Sequence, residues 1–285
     1  MYICIDIGGT KISAALVEHG NILAQKKAPS PIHNNIDDLL GVVTELCHEW
    51  RDKAEHIAIA CTGLVGKDRV NFLSVRASLP VKACLEQTLR LPVTILNDAA
   101  AAAWAEYQSI PDSKPETLVY VTVSTGIGAG IIQNGQLVTS NDGFCAHIGH
   151  LSVPSKATIT CHCGLKNCIE TLSSGTAIAT RASTILGQQV SAKDVFTRYL
   201  AHPAIQQLIA ECAHDLVNAF ASIKALTGTS MIVLGGSVGM NEYFRRQVSA
   251  SIDALPKLYQ FTLLFPRCGA NADLLGAYLY TSMEK

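Results

Sequence analysis

An α/β fold built from two duplicated lobes around a cleft is predicted by three observations. Short apolar strand patterns alternate with helical spacing along the whole chain. Both halves open on a β-meander broken by a glycine-rich turn, at Gly8-Gly9-Thr10-Lys11 and at Ser124–Gly130. Between them, the polar, twice-prolyl segment Ile110-Pro-Asp-Ser-Lys-Pro115 has the composition of a boundary. A chain of 285 residues that is 48% hydrophobic and 16% charged has the apolar mass for two cores.

The elements follow from local pattern. Tyr2–Ile7, Ile12–Val17 and Ile22–Lys26 read as an antiparallel meander, because β-branched runs are separated by turn residues. Apolar residues at three- and four-residue steps predict a helix over Ile36–Trp50, followed by a strand over His56–Cys61 that ends in Thr62-Gly63. Pro92–Leu96 is a further strand, and the alanine-rich run after Asn97-Asp98 has the strongest helix propensity in the chain. In the second half, Leu118–Val123 and Ile131-Ile132 are strands about the Ser124–Gly130 turn, and Asn134-Gly135 signals a hairpin. Residues 171–229 read as largely helical, Met231–Leu234 as a buried strand ended by Gly235-Gly236, and Leu274–Tyr280 as a terminal helix.

Composition narrows the partners. Twenty-two Lys and Arg against 23 Asp and Glu leave a net charge of −1, without the basic footprint of a nucleic-acid binder. No secretory signal and no bilayer-length apolar run is read, so the expected setting is the cytoplasm and the expected partners are small molecules. In a reducing compartment, clustered cysteines bind metal more often than they form disulfides.

Asp6, at the end of the first strand, stands beside the Gly8, Gly9, Thr10 and Lys11 turn. Carboxylate, backbone N–H groups, hydroxyl and ammonium suit a polyphosphate and its magnesium; the alternative is a hairpin that merely needs glycines. A strand follows the turn, so this is not a P-loop. Thr125, Gly126 and Gly128 lie in the second turn, also between strands, which excludes the dinucleotide fingerprint. Two such turns are expected to hold one ATP, with Gly235 and Gly236 giving a close backbone approach to the adenosine or serving only as a strand-to-helix turn. Asp98, between strand and helix, is either a helix cap or an ionised base that takes a proton from a sugar hydroxyl attacking phosphorus. Asn97 beside it has paired donor and acceptor groups for hydroxyls.

His150, Cys161, Cys163 and Cys168 make a H-x10-C-x-C-x4-C array, three thiolates and one imidazole, as a closed structural zinc site requires. His162 is a rival imidazole inside the array.

Together Asp6-Ile-Gly-Gly-Thr-Lys11, Asn97-Asp98-Ala-Ala, Ser124-Thr-Gly-Ile-Gly-Ala-Gly130, His147-Ile-Gly-His150, Cys161-His-Cys-Gly-Leu-Lys-Asn-Cys168-Ile-Glu170 and Leu234-Gly-Gly-Ser-Val238 resemble the ROK family of sugar kinases and repressors, of the actin/hexokinase-like (ribonuclease H-like) superfamily. The resemblance covers essentially the whole chain. It implies that Asp98 is the base, that Asn97, Gly63, His147 and Glu170 contact the sugar, that the glycine turns hold Mg-ATP, and that the cysteine loop carries structural zinc. It further implies an N-terminal lobe over 1–115 with a terminal helix at about 270–285 packed back on it, a C-terminal lobe over 116–269 with its zinc loop at 150–170, and a homodimer. His147 stands where most family kinases have glutamate. That exchange is similar to the subgroup that phosphorylates N-acetylmannosamine in sialic acid catabolism, with N-acetylglucosamine or glucose as the alternative sugar. Repressors of the family carry an N-terminal helix-turn-helix, and none is read ahead of the first strand, which leaves a non-catalytic sugar sensor as the least expected reading. The chain departs from the family in a short Lys67–Pro80 segment, in one extra residue between His150 and Cys161, and in Asn271-Ala-Asp273-Leu, where Asp-Ala-Gly-Leu is usual.

Overall fold

A computed structural model describes residues 1–111 and 113–283; Asp112 of the expected boundary and residues 284–285 of the expected terminal helix lie outside the described residues. Two compact units are present. The first comprises Met1–Lys114, Gln136–Ala146 and Arg267–Lys285, and the second Pro115–Gly135 and His147–Pro266.

In the first unit, β1 (Tyr2–Ile7), β2 (Lys11–Glu18) and β3 (Asn21–Pro29) form the meander, and β4 (His56–Cys61) and β8 (Val93–Asn97) continue the sheet in the order β3-β2-β1-β4-β8. β1 is antiparallel to β2 and parallel to β4, with Asp6 opposite Ser13 and Ala60. Strand alternation sorts the core: Ile3, Ile5 and Ile7 pack on one face with α1 (Leu39–Cys47) and α2 (Val81–Leu89), while Tyr2 and Cys4 pack on the other with the last helix, α9 (Ala272–Met283). The expected helix over 36–50 is α only across Leu39–Cys47, with a 3₁₀ turn over Ile36–Asp38 before it and a six-residue 3₁₀ segment, His48–Lys53, after it. The short 67–80 segment folds with Leu64-Val65 as a three-stranded sheet, β5 (Leu64–Val65), β6 (Val70–Phe72) and β7 (Ala77–Leu79). Residues 136–146, placed by the sequence reading with the second half, group with the first unit because Lys67 donates its N–H to the Asn141 carbonyl and the Gly143 backbone lies against Val65.

Helix α3 (Asp98–Gln108) and α9 run side by side in the same direction. A Cβ on Gly276 would collide with the Ala101 carbonyl, and one turn further the rings of Trp104 and Tyr280 meet edge to face at 5.5 Å. Beyond them the buried Glu106 carboxylate accepts the N–H groups of Arg267 (2.8 Å) and Cys268 (2.9 Å), which fixes the approach to α9. Gly276→Ala gains about 1 kcal/mol of helix propensity but forces the two backbones apart. The net expectation is a loss of roughly 2 kcal/mol or more, to be read as a lower midpoint in urea unfolding.

The second unit repeats the plan. β9 (Thr117–Val123) is antiparallel to β10 (Ile127–Gln133) and parallel to β12 (Met231–Gly235), which is parallel to β13 (Thr262–Leu264). Asn134 and Gly135 both have positive φ, 52° and 76°, the type I′ geometry expected of this dipeptide. The helices α4 (Ile169–Ser173), α5 (Gly175–Leu186), α6 (Ala192–Arg198), α7 (Pro203–Thr227) and α8 (Glu242–Asp253) share one core with the sheet, filled by Leu172, Ile178, Leu216, Phe220 and Phe244. The glycine turn is shorter than its sequence suggests. Only Ser124–Gly126 turns; Gly128 and Gly130 are strand residues opposite Thr122 and Tyr120.

Candidate active site

Asp98 owes its place to the junction of β8 and α3. Asn97 is the cap: its backbone is extended, and its side-chain oxygen accepts the N–H groups of Ala99 (3.0 Å) and Ala100 (3.2 Å). Its amide donates to the Gly63 carbonyl at 3.1 Å. Both acceptor sites of Asn97 are thereby filled, so the paired donor and acceptor expected of it reduce to a donor. With capping done by Asn97, the Asp98 carboxylate is released from the bland role its position suggested. Its Oδ1 accepts the adjacent Ala99 N–H at 2.8 Å, and the Asn97 amide also steadies the charged form.

Burial pushes the Asp98 carboxyl up to about 6, against the pull of the Ala99 N–H and with the added push of Asp273. Asp6 rises to about 8 through burial, then through Asp273 and Asp98, while Lys11 draws it down. Asp273, read in the sequence only as a departure at a helix start, is therefore part of the same carboxylate group. It lies in the first turn of α9, one turn before Gly276, as Asp98 begins α3 one turn before Ala101, and the parallel packing of the two helices brings both N-termini together. Gly8 closes its turn by donating to the Lys11 carbonyl at 3.0 Å, and the exposed His33, which no sequence signal marked, lies 3.4 Å from where a Cβ on Gly9 would be. Gly63 has φ 97° and a Cβ there would stand 2.7 Å from the Asn71 carbonyl, so the close approach of β6 demands the glycine.

In the second unit, Ser124 and Thr125 line a cavity of about 710 Å³ with Gly175, Thr176, Ser237 and Val238, and the segment from α5 into α6 completes it. Among the described residues no charged side chain lines it; hydroxyl and amide groups predominate. The α5 and α6 residues were not singled out in the sequence, since scattered threonines and glutamines carry no motif. Gly235 and Gly236 are required by packing inside the unit: a Cβ on Gly235 would stand 2.5 Å from the Tyr120 hydroxyl, and Gly236 has φ 83° against the Val123 backbone. The wall they lead into is made by the next two residues, Ser237 and Val238.

Glu170, on α4, accepts the Ile127 N–H through Oε2 at 2.9 Å. His147 is half-buried and its ring stacks on that of His150, centroids 6.5 Å apart. The ligand atoms of His150, Cys161, Cys163 and Cys168 all lie within 4.8 Å of one another, with His150 Nδ1 3.6 Å from Cys161 Sγ and Cys163 Sγ 3.5 Å from Cys168 Sγ. Tetrahedral zinc–sulfur bonds would put thiolates about 3.7 Å apart, so the four groups fit one metal ion. His162 is exposed and outside this group. Among the described residues no helix is long and apolar enough to cross a membrane.

Comparison with known proteins agrees with this architecture. The ROK family model matches residues 2–282. N-acetylmannosamine kinase of Escherichia coli O6:K15:H31 (strain 536 / UPEC) is 36% identical over 290 residues, covering 99% of each chain. The protein of the same name from Vibrio cholerae serotype O1 (strain ATCC 39541 / Classical Ogawa 395 / O395) is 30% identical, covering 96% of this chain and 97% of its own. Among solved structures, a ROK family glucokinase from Streptomyces griseus in complex with glucose and AMPPNP superimposes with a TM-score of 0.81 at 26% identity over 97% of each chain. A family model spanning nearly every residue, with relatives matched end to end, shows that the chain belongs to the ROK family.

Proposed function

We propose that the protein is a cytoplasmic kinase, homodimeric like the family it resembles, that transfers the γ-phosphoryl group of ATP to the 6-hydroxyl of N-acetylmannosamine in sialic acid catabolism. The observation that carries the reaction is the Asp98 carboxylate, freed from capping by Asn97 and held half-buried at a helix N-terminus. Relatives of that name at 30% and 36% identity support the sugar.

Asp98 accepts the proton of the sugar hydroxyl as that oxygen attacks phosphorus, and the Asn97 amide is assigned to orienting the sugar as a donor. Lys11 and the Gly8–Thr10 turn are assigned to the phosphates, and the neutral polar cavity lined by Thr125 has the chemistry to take ribose and base. Asp6 would hold the nucleotide's magnesium, the cation taking the place of the proton that burial and the neighbouring Asp273 and Asp98 keep on Asp6 at neutral pH. Magnesium supplies charge neutralisation of the phosphates. Zinc bound by His150, Cys161, Cys163 and Cys168 would be structural, because four protein ligands close the shell. His147 is assigned to sugar discrimination.

The test is sugar-dependent ADP formation with N-acetylmannosamine, N-acetylglucosamine, glucose and mannose offered separately with Mg-ATP. The highest kcat/KM is expected for N-acetylmannosamine. Preference for another hexose would move the sugar assignment but keep the reaction, and silence on all four would overturn the kinase reading.

A further inference from the structure

We infer that Glu170 is a positioning residue that ties sugar binding to the geometry of the phosphate-facing turn, so that sugar and nucleotide bind cooperatively through one carboxylate. The inference rests on the proposed reading of Glu170 as a sugar contact and of Ser124–Gly126 as part of the nucleotide site. It goes beyond that reading, because neither assignment requires the two to touch.

They touch directly. Glu170 Oε2 accepts the Ile127 N–H at 2.9 Å, on the first residue after the turn, 43 positions away in sequence. Around this bond the carboxylate is enclosed by two glycines: a Cβ on Gly126 would lie 2.6 Å from Oε2, and one on Gly149 3.5 Å from the same atom. Gly126 is required here by the Glu170 side chain, and Gly149 by the Ile127 carbonyl, 2.5 Å from where its Cβ would be. The segment after α4 is bound to the same turn. Gly175 donates its N–H to the Ser124 carbonyl at 2.7 Å, and Thr176 donates both its N–H (3.2 Å) and its hydroxyl (2.9 Å) to the Thr125 carbonyl. Any displacement of Glu170 by a ligand is therefore passed to the Ser124–Gly126 backbone, and any displacement of that backbone by phosphate is passed back. A carboxylate has a second oxygen with which to accept a sugar hydroxyl while Oε2 holds the turn. Coupling of this kind is reciprocal by thermodynamic necessity.

The experiment measures Mg-AMPPNP affinity by calorimetry, without sugar and with saturating N-acetylmannosamine, for the full chain and for Glu170→Ala, Glu170→Gln and Gly126→Ala. Loss of a charge-assisted acceptor predicts that Glu170→Ala weakens Mg-AMPPNP binding about tenfold with no sugar present. Glu170→Gln recovers most of that loss, since its carbonyl still accepts the Ile127 N–H. Gly126→Ala, whose methyl group displaces the carboxylate, weakens N-acetylmannosamine binding by a similar factor although it adds no sugar contact. Nucleotide affinity in Glu170→Ala equal to that of the unmodified chain overturns the inference. Should Glu170→Ala fail to fold, unchanged sugar affinity in Gly126→Ala overturns it equally. If no hexose binds the unmodified chain, the proposed function fails by itself, and the sugar-free AMPPNP comparison still decides the role of Glu170.

Discussion

Replacing Asp98 with asparagine is expected to lower sugar-dependent turnover by about 10²–10⁴-fold, the range of a lost general base, while making the fold more stable. Both effects have one cause. A carboxyl held at about 6 instead of 3.8 is charged at neutral pH against the preference of its surroundings, at a cost of up to ~3 kcal/mol. The folded value is raised, so the carboxyl's contribution to stability is fully present below pH 4 and is lost as pH rises through about 6. Asparagine keeps the shape and removes the charge, and it also relieves Asp6, which Asp98 pushes upward. The melting temperature of Asp98→Asn should therefore exceed that of the unmodified chain by about 2–4 °C at pH 7, with the difference closing towards pH 4. In the unmodified chain, kcat/KM for the sugar should fall below about pH 6 as the base takes up its proton. A variant with normal turnover would remove Asp98 from the chemistry; one with a pH-independent stability gain would place the charge penalty elsewhere.

The second large effect is expected at the cysteine loop. Cys168 is fully buried at the start of α4, two residues before Glu170, and His150 follows Gly149, which packs against Glu170 from the other side. Metal held there would stiffen the support of a carboxylate that reaches the residue after the Ser124–Gly126 turn. About one zinc per chain is expected on elemental analysis, and Cys161→Ser or Cys168→Ser should abolish it. Structural zinc in small domains contributes about 10 kcal/mol or more where the apo form is unfolded. Here the remainder of the unit has its own core, so roughly 3–5 kcal/mol is expected, seen as a lower melting temperature and as newly reactive thiols. His162→Ala, exposed and outside the ligand group, should retain the metal. Equal melting temperatures and thiol reactivity with and without chelator would exclude a structural metal.

What the sequence determined by itself is what short-range chemistry controls. Strand periods, the Asn134-Gly135 hairpin turn, the strand-to-helix junction at Asp98 and the spacing of one histidine and three cysteines are set by residues close enough to act through the local backbone, and they stand in the structure where the pattern put them. The extent of the second glycine turn was not legible, because alternate glycines fit a turn and a strand equally well; pairing of Gly128 with Thr122 and Gly130 with Tyr120 decided for the strand. Only tertiary structure could bring Asp273 to Asp6 and Asp98, since it depends on α9 lying along α3 at Gly276 and Ala101. Only tertiary structure could show that Asn97 takes over the capping that Asp98 was poised to provide, and that Glu170 reaches Ile127. These groups are joined by packing across many residues of chain, where no local propensity acts, and close contact between backbones rather than any motif selects which side chains meet.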